Sequence, residues 1–172
     1  MTKETNIKPA LLVIDLQNFS LNYIPEAHRK TALSRINEYI DMFRNKNCPV
    51  IRIYHYSKHW DPGEWNAEHE FPESVHILPD DPKVIKAYPD AFNKTELHQQ
   101  LQELGCNTLF VCGLSATGCA LATWLGAFNY DYKAFLIKDA LMSQKEEYTA
   151  NVEVMFDAVG PDVIDLVLEN AG

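Results

Sequence analysis

The sequence predicts one α/β domain of three layers, with helices on both faces of a central, mostly parallel sheet of the Rossmann-like kind. Several short apolar runs are typical of strands that are buried on both faces. The segments between them carry apolar residues at helical spacing, and strands that alternate with helices form parallel sheets through right-handed crossovers. The 172 residues can bury the core of one such domain, so we expect a single domain over residues 1–172.

The composition disfavours some classes of partner. The net charge of −9 and the pI near 5.0 disfavour nucleic acid and anionic membranes, since both require a basic surface. No apolar run approaches membrane-spanning length. The amino terminus does not resemble a signal peptide and the four cysteines form no CxxC pair, so we expect free thiols and a cytoplasmic location.

The first part of the chain predicts two strands joined by a helix. The apolar run Ala10–Ile14 predicts the first strand and ends in Asp15. A carboxylate at the carboxyl end of a strand is where such folds place their chemistry, although Asp15 could equally cap a turn. The next elements are a helix over residues 29–46, with a buried stripe of Leu33, Ile36, Ile40 and Phe43, and a second strand over Pro49–Tyr54.

Residues 55–82 interrupt this pattern. They hold four of the six histidines, and apolar periodicity is weak, which is typical of a lid or a binding loop. His55 and His59 with nearby carboxylates allow a metal-site interpretation. Pro62 and Gly63 oppose a helix that would align these side chains, so scattered loop histidines are the favoured interpretation.

The central stretch predicts a strand, a loop of small residues and a helix. Leu109–Cys112 is the strand, and the helix begins near Cys119, where Thr117 could provide the cap. The positive end of the helix dipole favours a thiolate, so Cys119 is expected to lose its proton easily and to be a nucleophile. The alternative is that Cys119 is a small buried hydrophobic residue.

The remaining segments predict two further strands and two further helices. A lone Lys86 follows a short apolar run and could simply be a surface charge. The predicted elements are a helix marked by Leu97, Leu101 and Leu104 that stops at Gly105, a strand over Ala134–Ile137 that ends in Lys138-Asp139-Ala140, a helix marked by Tyr148, Val152, Met155 and Val159 that Gly160-Pro161 ends, and a short last strand over Val163–Leu168.

Four motifs together resemble the isochorismatase-like cysteine hydrolases, and the resemblance covers nearly the whole chain. No single motif is specific, but chance does not readily produce four in this order and spacing. They are Leu11–Phe19, Val84–Lys86 with Asp90-Ala91-Phe92, Cys112–Thr123, and Lys138-Asp139-Ala140.

The resemblance implies a catalytic set of Asp15, Lys86 and Cys119. It also implies a cis peptide bond between Leu114 and Ser115, and an oxyanion hole formed by the backbone N–H groups of Ser115 and Cys119. Asp15 would take the thiol proton, and Lys86 would stabilise the thiolate. The thiolate would attack a carbonyl carbon, and water would release the acyl-enzyme. The expected substrate is a small amide, ureido or carbamoyl compound.

The resemblance also sets expectations for cofactors and partners. The nicotinamidase branch carries an Asp-x-His metal motif after the second strand, whereas this chain reads Tyr54–His59 without it, so we expect no metal and no other cofactor. Family members commonly form dimers or tetramers, so we expect a homodimer or homotetramer. Aromatic side chains are predicted to line the substrate pocket, namely Phe19, Trp60, Tyr88 and Phe92.

Three alternatives remain at this point. A thiol redox or sensing protein would oxidise Cys119 and resolve it with Cys112 or Cys106, but the missing CxxC pair disfavours it. A catalytically silent interaction protein would not need the complete set of Asp15, Lys86 and Cys119. Hydrolysis of a vinyl ether occurs in family members that lack the cysteine, so Cys119 disfavours that chemistry.

Overall fold

The computed structural model describes residues 6–58 and 63–172, and it contains a five-stranded parallel sheet. The strand order is β3-β2-β1-β4-β5. The chain starts in the middle of the sheet, extends to one edge, and then continues on the other side of the first strand. The strands are β1 (Pro9–Ile14), β2 (Val50–His55), β3 (Lys83–Lys86), β4 (Thr108–Leu114) and β5 (Lys133–Met142).

Helices cover both faces of this sheet, which confirms the predicted three-layer α/β/α class. Alternate residues of β1 enter two different core clusters, with Leu12 and Ile14 on one face and Leu11 and Val13 on the other. The first face carries α3 (Leu97–Glu103), α4 (Cys119–Phe128) and α5 (Glu146–Met155), and the second carries α2 (Glu26–Asn45) and α6 (Pro161–Glu169). A short α1 (Asn18–Leu21) follows β1, and a 3₁₀ turn spans Ala67–His69.

The segment predicted as a last strand, Val163–Leu168, is instead the core of α6. Pro161 stands at the first helical position, where its fixed φ and missing N–H favour a helix start. Ile164 and Leu168 are buried at a spacing of four residues, whereas Leu166 is 62% exposed, which is the pattern of a one-sided helix. A short apolar run allows both interpretations, and the helical spacing decides between them.

Two further element boundaries differ from prediction. β5 continues past Asp139 to Met142, because a register irregularity opposite Val111 and Gly113, with Asp139 at φ +61°, lets the strand rejoin β4. α5 ends at Met155, before Val159, whose backbone forms a bridge with Ile137. No helix among the described residues has the length and apolar character needed to cross a membrane.

The sheet reverses its winding direction between β1 and β4, and ligands in open α/β sheets bind at such a switch point. Gly113 near the end of β4 pairs with Ile14 at the end of β1 and has φ +109°. A Cβ at this position would overlap the backbone of Ile14. Glycine is therefore required where the two strands that border the switch point come together.

We expect Gly113→Ala to lower the free energy of unfolding by about 2–4 kcal/mol, because it combines backbone strain with overlap against main-chain atoms. Urea denaturation followed by circular dichroism measures this change. Gly63→Ala is the matched control, because a Cβ there meets nothing within 4 Å, and it should stay within about 0.5 kcal/mol of the original protein. Equal stabilities of the two variants would contradict this account of Gly113.

Candidate active site

Three neighbouring strands end in polar side chains that meet at one edge of the sheet. Asp15 follows β1, His55 is the last residue of β2, and Lys86 is the last residue of β3. His55 and Lys86 are direct register partners. Because β2 lies between β1 and β3, the side chains of Asp15 and Lys86 approach each other across the strand that carries His55.

Asp15 and Lys86 form a buried ion pair. Lys86 Nζ donates to Asp15 Oδ2 at 2.8 Å, and the two residues are 1% and 4% exposed. A buried charge without a partner is strongly unfavourable, so each residue requires the other. Asp15 Oδ1 is also buried, yet among the described residues it accepts no hydrogen bond. That oxygen is an acceptor available to a proton from a neighbouring group.

His55 is the second partner of the lysine. Its Nδ1 lies 3.3 Å from Lys86 Nζ. The position of His55 is fixed by Gln17, a fully buried residue whose side chain accepts from the His55 N–H at 2.8 Å and donates to the His55 C=O at 2.9 Å. The Gln17 amide thus extends the hydrogen bonds between β1 and β2 beyond the end of β1.

Cys119 opens α4 and brings a thiol to the same place. One donor or acceptor atom each of Asp15, His55 and Cys119 lies within 4.8 Å of the other two. Gly118 is the N-cap of the helix and no side chain caps it, so the predicted Thr117 cap is wrong. The Thr117 hydroxyl instead lies 3.3 Å from the Ser115 hydroxyl.

The loop before Cys119 contains the expected cis peptide bond between Leu114 and Ser115. The Ala116 N–H donates to Met142 O at 2.7 Å, and the Ala120 N–H donates to Ser115 O at 3.2 Å. Within the described part of the chain, the N–H groups of Ser115 and Cys119 have no such acceptor. These two donors are consequently available to a ligand next to the thiol.

Contacts after β3 connect the lysine strand to the cysteine helix. The Ala91 N–H donates to Thr123 Oγ1 at 3.0 Å, and Asp90 accepts from the Phe92 N–H at 2.9 Å. The Asp90 carboxylate lies where a Cβ of Gly126 would be, so only glycine at that helix position allows this close approach. These contacts hold the segment after β3 against α4, and they thereby fix the position of Cys119 relative to Lys86.

Burial controls the protonation of the site. The pKa of Cys119 is raised to about 11, first by burial and second by the charge of Asp15, while interaction with Lys86 acts in the opposite direction. Burial also raises the pKa of Asp15 above its usual range, although Lys86 opposes this shift. The expectation of an easily ionised thiol at the helix start is therefore wrong, because desolvation outweighs the helix dipole.

The predicted aromatic site residues have different locations. Phe19 lines a cavity of about 370 Å³ beside Ser115 and Thr117. Phe92 is buried in the core, where it stacks on Tyr130 and Tyr132, and it is not among the residues that line the cavity containing Phe19. Tyr88 is 39% exposed, with Lys94 over its ring. Trp60, like His59, lies outside the described residues.

The other cysteines do not support a thiol relay. Cys112 is fully buried, and its thiol donates to Leu12 O at 3.5 Å, while burial raises its pKa. Cys112 packs in the core cluster on the opposite face of the sheet from Cys119. Burial also raises the pKa of Cys106 to about 11. Redox sensing requires an easily formed thiolate, so the redox alternative loses its main premise.

The donor set of Asp15, His55 and Cys119 also has the chemistry of a transition-metal site. Lys86 opposes this use, because its ammonium is already hydrogen-bonded to Asp15 and His55. A divalent cation would have to displace a buried positive charge from the same ligands. The cluster is better described as a binding site for the lysine ammonium.

Sequence reasoning did not identify the roles of His55 and Gln17. In the sequence, His55 is one of several histidines in the segment 55–82. Its position immediately after an apolar strand, as for Asp15 and Lys86, was the available signal. Gln17 gave no such signal, because its role depends on which strand lies beside β1.

The fold and the site first define a class: a parallel α/β protein with a buried carboxylate–lysine pair beside a part-buried histidine and thiol, near the switch point of its sheet. A family model described as the isochorismatase domain matches residues 9–166. The isochorismatase family protein YddQ of Bacillus subtilis, itself uncharacterised, is 31% identical over 145 residues, which cover 76% of each chain. Nicotinamidase 3 of Arabidopsis thaliana is 30% identical over 154 residues, covering 80% of this chain and 75% of the relative.

A solved structure agrees with these sequence matches. The crystal structure of an isochorismatase from Pseudomonas putida superposes with a TM-score of 0.73 at 25% identity, and the match covers 89% of this chain and 86% of that one. The chain belongs to the isochorismatase family and is a hydrolase of that family.

The raised thiol pKa generates a prediction for alkylation by iodoacetamide. Cys119 should react slowly at neutral pH, and its reaction rate should rise into the alkaline range. Asp15→Asn removes a negative charge beside the sulfur and should increase the rate at pH 8 by about tenfold, whereas Lys86→Met should decrease it. Mass spectrometry of the Cys119 peptide gives the rates.

Lys30→Met is the matched control, because Lys30 is an exposed lysine on α2 and its loss should leave the rate unchanged. Rapid alkylation of Cys119 at pH 7 in the original protein would contradict the burial account, as would an Asp15→Asn variant with an unaltered rate.

Proposed function

We propose that this hydrolase cleaves the C–N bond of a small amide, ureido or carbamoyl compound through an acyl-enzyme on Cys119. The observation that carries the proposal is the thiol of Cys119 beside the buried Asp15–Lys86 pair, with donor and acceptor atoms of Asp15 and Cys119 within 4.8 Å. A nucleophile, a base and a cation that holds the base form the arrangement that covalent acyl transfer requires.

The first step is proton transfer from the thiol to Asp15. The resting thiol is neutral because burial raises its pKa. Burial also raises the pKa of Asp15, which makes this carboxylate a stronger base than an exposed one. Asp15 Oδ1 has no hydrogen-bond donor among the described residues and can receive the proton, while Oδ2 stays with Lys86.

The Cys119 sulfur then forms a bond to the carbonyl carbon, and the carbonyl electron pair moves to oxygen. The free N–H groups of Ser115 and Cys119 are the donors that would stabilise this oxyanion. Such a donor contributes roughly 10²–10³ in rate. When the C–N bond breaks, protonated Asp15 transfers its proton to the leaving nitrogen, and ammonia or an amine departs.

Water completes the cycle by the reverse path. Asp15, again a carboxylate, takes a proton from water, and the resulting hydroxide equivalent attacks the thioester carbon. Collapse of the second tetrahedral intermediate releases the acid product, and the proton on Asp15 returns to the Cys119 sulfur. Lys86 stays paired with Asp15 throughout, which prevents the buried carboxylate from being left without a partner.

The name of one relative supports the choice of a C–N bond. Nicotinamidase 3 of Arabidopsis thaliana is named for the hydrolysis of an amide. The Pseudomonas putida structure is that of an isochorismatase, and hydrolysis of a vinyl ether is the alternative that the family resemblance leaves open. The nucleophile assigned here to Cys119 has a role in acyl transfer and none in the protonation of a vinyl ether, so we favour the amide.

The cavity next to the nucleophile loop indicates an uncharged substrate. Among the described residues its lining comprises apolar and aromatic side chains together with hydroxyls and one amide, and these include no Lys, Arg, His, Asp or Glu: Phe19, Ser20, Tyr23, Ile24, Leu114, Ser115, Thr117, Ser143, Gln144 and Tyr148. A carboxylate in such a cavity would lose its hydration without gaining a cation. We therefore expect a neutral acyl group, held by apolar contact and a few hydrogen bonds.

The central test is a panel of primary amides, ureides and carbamoyl compounds, with ammonia release as the readout. Cys119→Ala should lower kcat/KM on any turned-over member by more than about a thousandfold, because the covalent path is removed. Cys48→Ala is the matched control, since Cys48 is another free thiol and lies beyond α2. Denaturing mass spectrometry of the reacting enzyme should show the acyl group on the Cys119 peptide.

Two results would contradict the proposal. One is ammonia release that persists in the Cys119→Ala variant. The other is hydrolysis of a vinyl ether, with pyruvate as product, at a rate that Cys119→Ala does not change.

A second prediction concerns charge selectivity. Of two amides of equal size, the neutral one should have a kcat/KM at least about tenfold higher than the carboxylate-bearing one, since no cation is among the lining residues in the described part of the chain. Gln144→Lys places a cation in the lining and should shift the preference toward the anionic amide, whereas Gln99→Lys on α3 is the exposed control. Equal rates for both amides would contradict the assignment of this cavity to the acyl group.

A further inference from the structure

We propose that His55 is a positioning residue of this site, which accepts a hydrogen bond from Lys86 at Nδ1 and thereby holds the ammonium between Asp15 and Cys119. This inference rests on the proposed function, since it assigns a task to a residue beside the proposed nucleophile. It begins with the hydrogen bonds that a buried lysine requires.

A lysine ammonium has three N–H donors and no acceptor, and each donor needs a partner when it is buried. Lys86 is 1% exposed, so bulk water does not accept hydrogen bonds from its ammonium. Asp15 Oδ2 at 2.8 Å receives one hydrogen bond, and His55 Nδ1 at 3.3 Å is placed to receive a second. The sulfur of Cys119 is the third neighbour, because interaction with Lys86 lowers the pKa of that thiol.

The contact determines the protonation of the imidazole. Because the ammonium can only donate, His55 Nδ1 must be the acceptor and therefore carries no hydrogen. The neutral ring then has its hydrogen on Nε2. A protonated imidazole would place a second positive charge 3.3 Å from the ammonium and could not accept its hydrogen bond.

The titratable groups that face the ring come from three other elements of the structure. Within the described residues they are Asp15 at the end of β1, Lys86 at the end of β3 and Cys119 at the start of α4. The charge state of His55 affects Asp15 directly, since a positive charge on His55 lowers the pKa of the Asp15 carboxyl. His55 is thus in a position to affect both the base and the cation.

The main chain of His55 is held on both sides, which limits where the imidazole can lie. Gln17 is fully buried and devotes both ends of its amide to the main chain of His55, at 2.8 and 2.9 Å. The Tyr56 N–H donates to Lys86 O at 2.9 Å, which fixes His55 relative to the lysine strand. These contacts hold the histidine against both neighbouring strands, as a fixed acceptor requires.

The test uses the alkylation of Cys119, which needs no substrate. His55→Leu removes the acceptor and keeps an apolar side chain of similar bulk, so Lys86 should support the thiolate less well. The alkylation rate at a fixed alkaline pH should fall about tenfold, the effect expected for a lost hydrogen bond to a charged group. His55→Asn supplies a side-chain oxygen near the former Nδ1 and should restore most of the rate.

A double-mutant cycle separates positioning from packing. If His55 acts through Lys86, His55→Leu should have no further effect on alkylation in a Lys86→Met background. His76→Leu is the matched control, because His76 is a half-exposed histidine paired with Asp41 and its loss should not alter the rate. Thermal melts by circular dichroism establish that each variant is folded.

An independent measurement is the ¹⁵N shift of the imidazole nitrogens, assigned by comparison with His55→Asn. An unprotonated Nδ1 and a protonated Nε2 at neutral pH support the inference. If His55→Leu does not fold, the nitrogen shifts and the His55→Asn variant still test whether His55 Nδ1 accepts a hydrogen bond from Lys86.

The possible failures can be distinguished. If Asp15→Asn and Lys86→Met change the alkylation of Cys119 but His55→Leu does not, only the role of His55 is wrong. A hydrogen on Nδ1, or an effect of His55→Leu that persists in the Lys86→Met background, would also overturn it. If none of the three variants changes the alkylation rate, the proposed function fails together with the inference.

Discussion

The buried ion pair between Lys86 and Asp15 is the interaction on which the candidate site depends. Neither charge has access to bulk water, so each must be satisfied by protein groups. The carboxylate is held by Oδ2, while Oδ1 has no hydrogen-bond partner among the described residues. The same burial that makes the pair necessary raises the pKa of Cys119 and of Asp15. Burial therefore explains both the pairing of Lys86 with Asp15 and the raised pKa values of Cys119 and Asp15.

The parallel sheet explains why this pair can exist. Three adjacent strands end at the same edge and bring Asp15, His55 and Lys86 together, although they are distant in the sequence. The switch point beside β1 opens space for the loop that carries Ser115 and Cys119. Gly113 and Gly126 then allow backbone and carboxylate to approach more closely than any other residue would.

The sequence predicts the fold class because it depends on local patterns, namely apolar strands that alternate with segments of helical spacing. The set of Asp15, Lys86 and Cys119 is expected from the resemblance to a known family, since a local pattern does not distinguish Lys86 from a surface charge. The sequence prediction fails at Val163–Leu168, where a short apolar run fits either a strand or a helix. It also fails for the acidity of Cys119, because the helix start is visible in the sequence whereas the depth of burial is not. The partnership of Gln17 with His55 was equally hidden, since it depends on strand order.

The polar atoms of the site are held by hydrogen bonds of the sheet and of the first residues beyond it, as far as Gln17 after β1 and Tyr56 after β2. The Asp15 N–H donates to Ile53 O, Gln17 fixes His55, and the Tyr56 N–H donates to Lys86 O. Lengthening or exchanging the segments beyond Gln17 and beyond Tyr56 would therefore alter the walls of the cavity and leave the charge pair in register. Such an architecture separates the shape of the cavity from the placement of the charge pair, and it makes this chain a suitable scaffold for grafting loops that admit other small molecules.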